Sequence, residues 1–268
     1  MKENKRYYLY FAVIIFILLL LTACSSSQQS NNDDEQVELT ISAAASMMDV
    51  LEEIRVDFEE EHNDINLLYN FGSSGSLQQQ IAHGAPVDLF ISANLQRFNS
   101  LLDQGFISSN YHKEMVGNEL VLIQPNSGDV RLSSFSDLLN EEVKKVAIGI
   151  PETVPAGYYA KEYLEKQKLY NKLKDKFIPG KDVRQVLNYV ETGNTDAGIV
   201  YRTDALHSKS VQVVTTANKQ DHTPIIYPVG ILEDSNHKEA AMLFFDYVTN
   251  SDSLEIFKEY GFSPISDN

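Results

Sequence analysis

Along this chain, runs of strand-forming residues repeatedly give way, across corners of small residues, to the start of a helical stripe. That repetition restricts the fold more than any other feature of the sequence. At the first corner Val37, Leu39 and Ile41 alternate with Glu38 and Thr40, as in a half-buried strand. Ser42-Ala43-Ala44-Ala45-Ser46-Met47 follows, and Val50, Leu51, Ile54 and Phe58 then recur at helical spacing. This predicts a helix over residues 47–60 with Ser46 as N-cap and Asp49 as a shortened capping-box partner. A second corner, Gly72-Ser73-Ser74-Gly75-Ser76, follows a strand at 65–71 and precedes a short helix through Leu77 and Ile81. A third, at 151–157, follows a strand at 146–150. A fourth, at 178–182, offers Asp182 as N-cap to the stripe Val183, Val186, Leu187 and Val190. The fifth is the end of the buried run 197–201, at Tyr201.

Further strands are expected at 87–91, 119–123, 211–214 and 227–232, and further helices on Leu95, Phe98, Leu101 and Leu102, on Tyr159, Tyr163 and Leu164, and on Ala240 to Val248. Strand and helix in alternation predict an α/β architecture with mainly parallel sheets. The first turn of a helix carries unpaired N–H donors and the positive end of the helix dipole, so each corner is an anion site by construction. Several of them converging predicts a pocket for one small oxyanion.

The chain begins differently. Lys2, Lys5 and Arg6 precede fifteen uncharged residues, 7–21, short for a membrane span of roughly 20 residues and right for the core of a signal peptide. The run ends in Leu21-Thr22-Ala23-Cys24, which resembles the lipobox of bacterial lipoproteins and implies cleavage after residue 23 and lipidation of Cys24. Cys24 is the only cysteine, so no intramolecular disulfide is available. Residues 25–35 hold no apolar side chain, and residues 24–36 read as a disordered tether. The expected location is the outer face of the cell membrane.

The first 23 residues hold three of the 22 basic and one of the 38 acidic side chains, so the remainder carries a net charge of −18. So acidic a surface argues against nucleic acid as a partner and against general electrostatic capture of anions. An anion pocket here has to work through local dipoles and hydrogen bonds.

Seven segments, in order and with matching spacing, resemble the periplasmic molybdate-binding proteins of ABC importers. They are AAAS (43–46), FGSSGSL (71–77), GAPVDLFISA (84–93), PETVPAGYYAKE (151–162), KDVRQVL (181–187), GIVYRTDA (198–205) and EIFKEYGF (255–262). The resemblance spans residues 37–262 and implies the two-lobed periplasmic-binding-protein type II fold, with two crossover strands near 119–123 and 227–232 forming the hinge. Lobe one then consists of residues 37–118 and 228–268, and lobe two of 119–227.

The resemblance further implies a molybdate or tungstate ion held by neutral donors: the hydroxyl and N–H of Ser46 and Ser74, the N–H of Ala156 and Val183, and the hydroxyl of Tyr201. Apart from that ligand it implies no cofactor, no enzymatic activity, a monomer, and delivery to the membrane subunits of an ABC permease. The sequence departs from the family in Gly75, within the second corner, and in Asp49, one turn into the first helix. A sulfate- or thiosulfate-type binder of the same fold is the alternative in the same class.

Taken singly, these residues have plain structural readings: Ser46 as a cap, Ser74 as a turn residue, Tyr201 as a core aromatic. Arg184, one residue past a helix start, reads as a brace for the corner or a partner for a carboxylate. An enzyme reading finds little support. Gly72-Ser73-Ser74-Gly75 lacks the Gly-x-Ser-x-Gly spacing of a nucleophile elbow, the six histidines are scattered, and there is no phosphate-binding Gly-x-x-x-x-Gly-Lys-Ser/Thr loop.

Overall fold

The computed structural model describes residues 36–265, so the leader, Cys24 and nearly all of the expected tether lie outside the described residues. In chain order the elements are β1 (Val37–Ala44), α1 (Met48–Glu61), β2 (Ile65–Gly72), α2 (Ser74–Ala82), β3 (Leu89–Ile91), α3 (Leu95–Asp103), β4 (Ile107–Gly117) and β5 (Leu120–Pro125). Then come β6 (Val146–Gly149), α4 (Pro155–Lys166), α5 (Tyr170–Leu173), β7 (Phe177–Gly180), α6 (Val183–Glu191), β8 (Ala197–Tyr201), α7 (Arg202–Leu206) and β9 (Val211–Thr216). The chain closes with β10 (Ile226–Leu232), α8 (Lys238–Val248), α9 (Ser251–Glu259) and β11 (Ser263–Pro264).

Two mixed sheets result, ordered β11-β4-β10-β3-β1-β2 and β7-β6-β8-β5-β9. Where strand, corner, helix and strand follow one another, the pairing is parallel: β1 with β2 and β3, β6 with β7 and β8. A strand that returns without such a crossover pairs antiparallel, as β10 does with β3 and β4, and β5 with β8 and β9. The expectation of mainly parallel sheets therefore holds only within the strand–helix–strand units.

The chain leaves the first sheet after Gly117, enters the second at Leu120, and returns between Thr216 and Ile226. The two passages lie side by side: the Asn118 N–H donates to the Ile225 carbonyl at 3.2 Å, and the Ala217 N–H to the Leu120 carbonyl at 2.8 Å.

Local chemistry explains where the structure departs from the sequence pattern. Ser46 is not an N-cap. Residues Ala45–Met47 form a 3₁₀ turn leading directly into α1, with no side-chain cap at either start, and Asp49 makes no capping box. The segment 107–117 was not expected as a strand because its buried residues sit at its ends and exposed polar ones fill its middle. Phe177–Gly180 is a strand although it contains Pro179; it lies at the edge of the second sheet, where a missing N–H costs no ladder bond. The expected helix over Ala240 to Val248 is α8, and a further helix, α9, follows because Asn250 caps a fresh start by accepting the Ser253 N–H at 2.8 Å. Fully buried Phe58 of α1 packs edge-on against Phe244 of α8, 5.2 Å between ring centres, which holds both helices on the first sheet.

Candidate functional site

The corners lie at the carboxyl ends of β1, β2, β6, β7 and β8, the end of an open α/β sheet where ligands bind. They meet around a small cavity between the two sheets. Its lining includes all five expected residues, Ser46, Ser74, Ala156, Val183 and Tyr201, and not one charged side chain. All five are buried. A larger open depression, near Asp129, Glu142 and Asp196, lies at the opposite end of the second sheet and is acidic. No group of three or more His, Cys, Asp or Glu side chains placed to hold a metal occurs among the described residues.

Each donor is set by its own piece of backbone. Ser74 is the first residue of α2, behind the N-cap Ser73, and its Oγ accepts the Ala93 N–H at 2.9 Å. Ser46 Oγ lies 2.9 Å from the Tyr227 hydroxyl. Ala156 follows Pro155 at the start of α4, a position where proline's missing N–H costs nothing. Val183 begins α6 behind Asp182, whose carboxylate accepts the Gln185 N–H at 2.8 Å, a cap worth about 1 kcal/mol. Being in the first turn, neither Ala156 nor Val183 has a partner for its N–H inside its helix. Tyr201 ends β8 with its hydroxyl buried and without a hydrogen-bond partner among the described residues. Burial, ahead of the neighbouring Tyr227, Tyr159 and Asp204, pushes that phenol well above its ordinary acidity range. It stays neutral and able to donate.

The walls touch each other beside the cavity. The Gly75 N–H donates to the Thr153 carbonyl at 3.0 Å, and a Cβ on Gly75 would stand 2.5 Å from that oxygen and 2.8 Å from the Thr153 Cα. Only glycine permits this approach, so the departure at Gly75 belongs to the contact between the walls. The Tyr159 hydroxyl donates to the Ala93 carbonyl at 3.3 Å and accepts from Asn94 Nδ2 at 3.2 Å. Arg97 reaches the Glu152 carbonyl.

Asp49 accepts Arg184 Nη2 at 2.6 Å, an ion pair from α1 to α6, and this is the carboxylate expected of Arg184. Behind it lies Asp204, whose Oδ2 accepts the Tyr201 N–H at 3.2 Å while Oδ1 has only Arg184 at 4.0 Å. Burial raises the Asp204 carboxyl to about 7, against the opposing pull of Arg184 and the Tyr201 N–H.

Sequence reasoning missed Tyr227, Asn118, Tyr159 and Asp204. Tyr227 and Asn118 carried no local signal, since their partners lie 181 and 109 positions away.

Known proteins are similar to this chain over most of its length. The chain is 51% identical over 228 residues to a Bacillus subtilis protein named as an ABC transporter substrate-binding lipoprotein, YvgL, covering 85% of this chain and 87% of that one. It is 37% identical over 232 residues to the molybdate-binding protein ModA of Escherichia coli, covering 84% and 89%. The periplasmic molybdate-binding protein of Azotobacter vinelandii, at 22% identity, has the same fold, with a TM-score of 0.77 over 86% of this chain and all of that one. The profile of the bacterial extracellular solute-binding proteins matches residues 39–263, and the chain belongs to that family.

Proposed function

We propose that this protein captures molybdate, and tungstate as well, in the cavity between its two sheets and delivers it to an ABC-type permease. The observation that carries this reading is the buried, neutral Tyr201 hydroxyl, which has no hydrogen-bond partner among the described residues and lines one uncharged cavity with Ser46, Ser74, Ala156 and Val183. A tetrahedral dianion supplies the acceptors these groups lack. Hydrogen bonds to an ionised acceptor contribute roughly 1.5–3 kcal/mol each, so a handful sustains tight binding after the costs of ordering are met. Donors alone also discriminate, because a protonated oxyanion brings a hydrogen that meets no acceptor.

In this reading residues 37–118 with 228–268, and residues 119–227, are two lobes that close on the ion about the paired passages near Asn118 and Ile225. Closure is driven by the ion's contacts with both walls. The lipobox at Leu21 to Cys24 supplies an anchor that keeps the protein beside its permease. Among the described residues no helix is long and apolar enough to cross a membrane.

A thermal-shift panel tests the assignment. Molybdate and tungstate raise the melting temperature, and equal concentrations of sulfate and phosphate do not. A shift with sulfate or thiosulfate alone moves the protein to the sulfate-type reading, and no shift with any oxyanion refutes both.

A further inference from the structure

A serine hydroxyl carries one proton and two acceptor lone pairs, so a site that favours fully ionised oxyanions gains by turning the protons of its serines toward the ion. At Ser74 the backbone does this, since its oxygen already takes the Ala93 N–H. At Ser46 the task falls to a chain of side chains, and its direction can be worked out from one fixed point. The Glu119 N–H can only donate, and it donates to Asn118 Oδ1 at 2.8 Å. The Asn118 amide nitrogen therefore faces the other way, where it meets the Tyr227 hydroxyl at 3.2 Å and Thr203 Oγ1 at 2.9 Å. Tyr227 is fully buried, and its oxygen is the acceptor for that N–H. Among the described residues the one other atom that shares a hydrogen bond with the phenol is Ser46 Oγ, at 2.9 Å, so the phenolic proton goes to Ser46; reversing this bond would leave the buried phenolic O–H no acceptor but the poorly aligned Tyr201 hydroxyl. With its oxygen engaged, Ser46 has its own proton left for the cavity.

We propose that Asn118 and Tyr227 are positioning residues that fix the polarity of Ser46, so that it turns its own proton toward a bound oxyanion. The inference rests on the oxyanion reading above. It adds that selectivity between a fully ionised oxyanion and one of the hydrogen-phosphate class is set by two residues that do not line the cavity. Burial, ahead of any charge nearby, keeps Tyr227 neutral, which the relay requires.

The experiment measures, by titration calorimetry, the ratio of molybdate to phosphate affinity in the wild type and in Tyr227→Phe, Asn118→Asp, Ser46→Ala and the Ser46→Ala/Tyr227→Phe double variant. Phenylalanine keeps the ring contacts with Tyr201 and Phe262 and removes only the hydroxyl. The expected result is a fall of about ten-fold in the ratio for Tyr227→Phe, with no further fall when it is added to Ser46→Ala. Asn118→Asp presents an oxygen where the amide nitrogen stood. It turns the relay round, and the ratio falls at least as far although the added charge weakens both anions.

A wild-type ratio in both Tyr227→Phe and Asn118→Asp overturns the relay, as does an equal effect of Tyr227→Phe in the Ser46→Ala background. If Tyr227→Phe does not fold, Asn118→Asp decides alone. Wild-type protein that binds no molybdate refutes the functional reading itself, and the relay with it.

Discussion

The two walls of the cavity present donors of different kinds. The first-sheet wall offers hydroxyls, Ser46 and Ser74, and each needs a neighbour to settle which way its proton points. The second-sheet wall offers the first-turn amides of Ala156 and Val183, whose polarity is fixed by the peptide bond and whose direction follows from a helix start. Tyr201 stands between these types, a hydroxyl whose neutrality comes from burial. The lesson is that a side-chain donor costs additional structure, here a relay running back to the passage between sheets, while a backbone donor needs only a cap. It follows that the first wall should govern selectivity and the second affinity in general.

The largest expected effect abolishes the comparison by keeping the walls apart. Gly75→Ala drives a methyl group against the Thr153 backbone, and calorimetry should show oxyanion affinity falling by about 100-fold with the fold intact. Binding within two-fold of the wild type would mean that the walls do not need to meet as they do here.

Next come variants that sharpen the contrast. Ser46→Ala and Tyr201→Phe each lower molybdate affinity by about ten-fold or more without unfolding the protein. Ala156→Pro removes one amide donor in a helix turn that accepts proline, and lowers affinity for molybdate, tungstate and any competing oxyanion alike. A changed molybdate-to-phosphate ratio in Ala156→Pro would erase the division of labour between the walls.

A smaller effect comes from the ion pair joining them. Asp49→Asn weakens binding about two- to three-fold at low salt, since both partners are partly exposed, and the difference fades as salt is raised.

The smallest effect concerns pH. The folded Asp204 carboxyl titrates near 7, above its ordinary value of 3.8, so the native state binds the proton more strongly than the unfolded state. Stability is full below about 4, falls as pH rises between these values, and levels off above 7. Asp204→Asn, which keeps an acceptor for the Tyr201 N–H, should melt with the wild type at the acid end and a few degrees above it at pH 8. Equal melting at both ends would place the buried charge elsewhere.

The corners were legible because each combines a strand period, small residues and a helix stripe within a dozen positions, and the five expected residues do line one cavity. The support for Ser46 was not legible. The Asn118–Tyr227 contact joins the outgoing passage between sheets to the returning one, and no local pattern encodes it. Ser46 itself misled for a related reason. A serine before a helical stripe reads as a cap, but the 3₁₀ turn at Ala45–Met47 carries it past that position and frees its hydroxyl for Tyr227. The strand β4 was hidden by polar residues in its middle, and β7 by a proline that only a sheet edge tolerates.

The absence of any cationic group from the cavity lining has an electrical consequence. A dianion taken up there is enclosed without being neutralised, so the loaded protein is two units more negative than the empty one and should elute later from an anion exchanger. It also leaves no ion pair to be torn apart at hand-over, so that once the walls part, nothing but water need compete for the cargo.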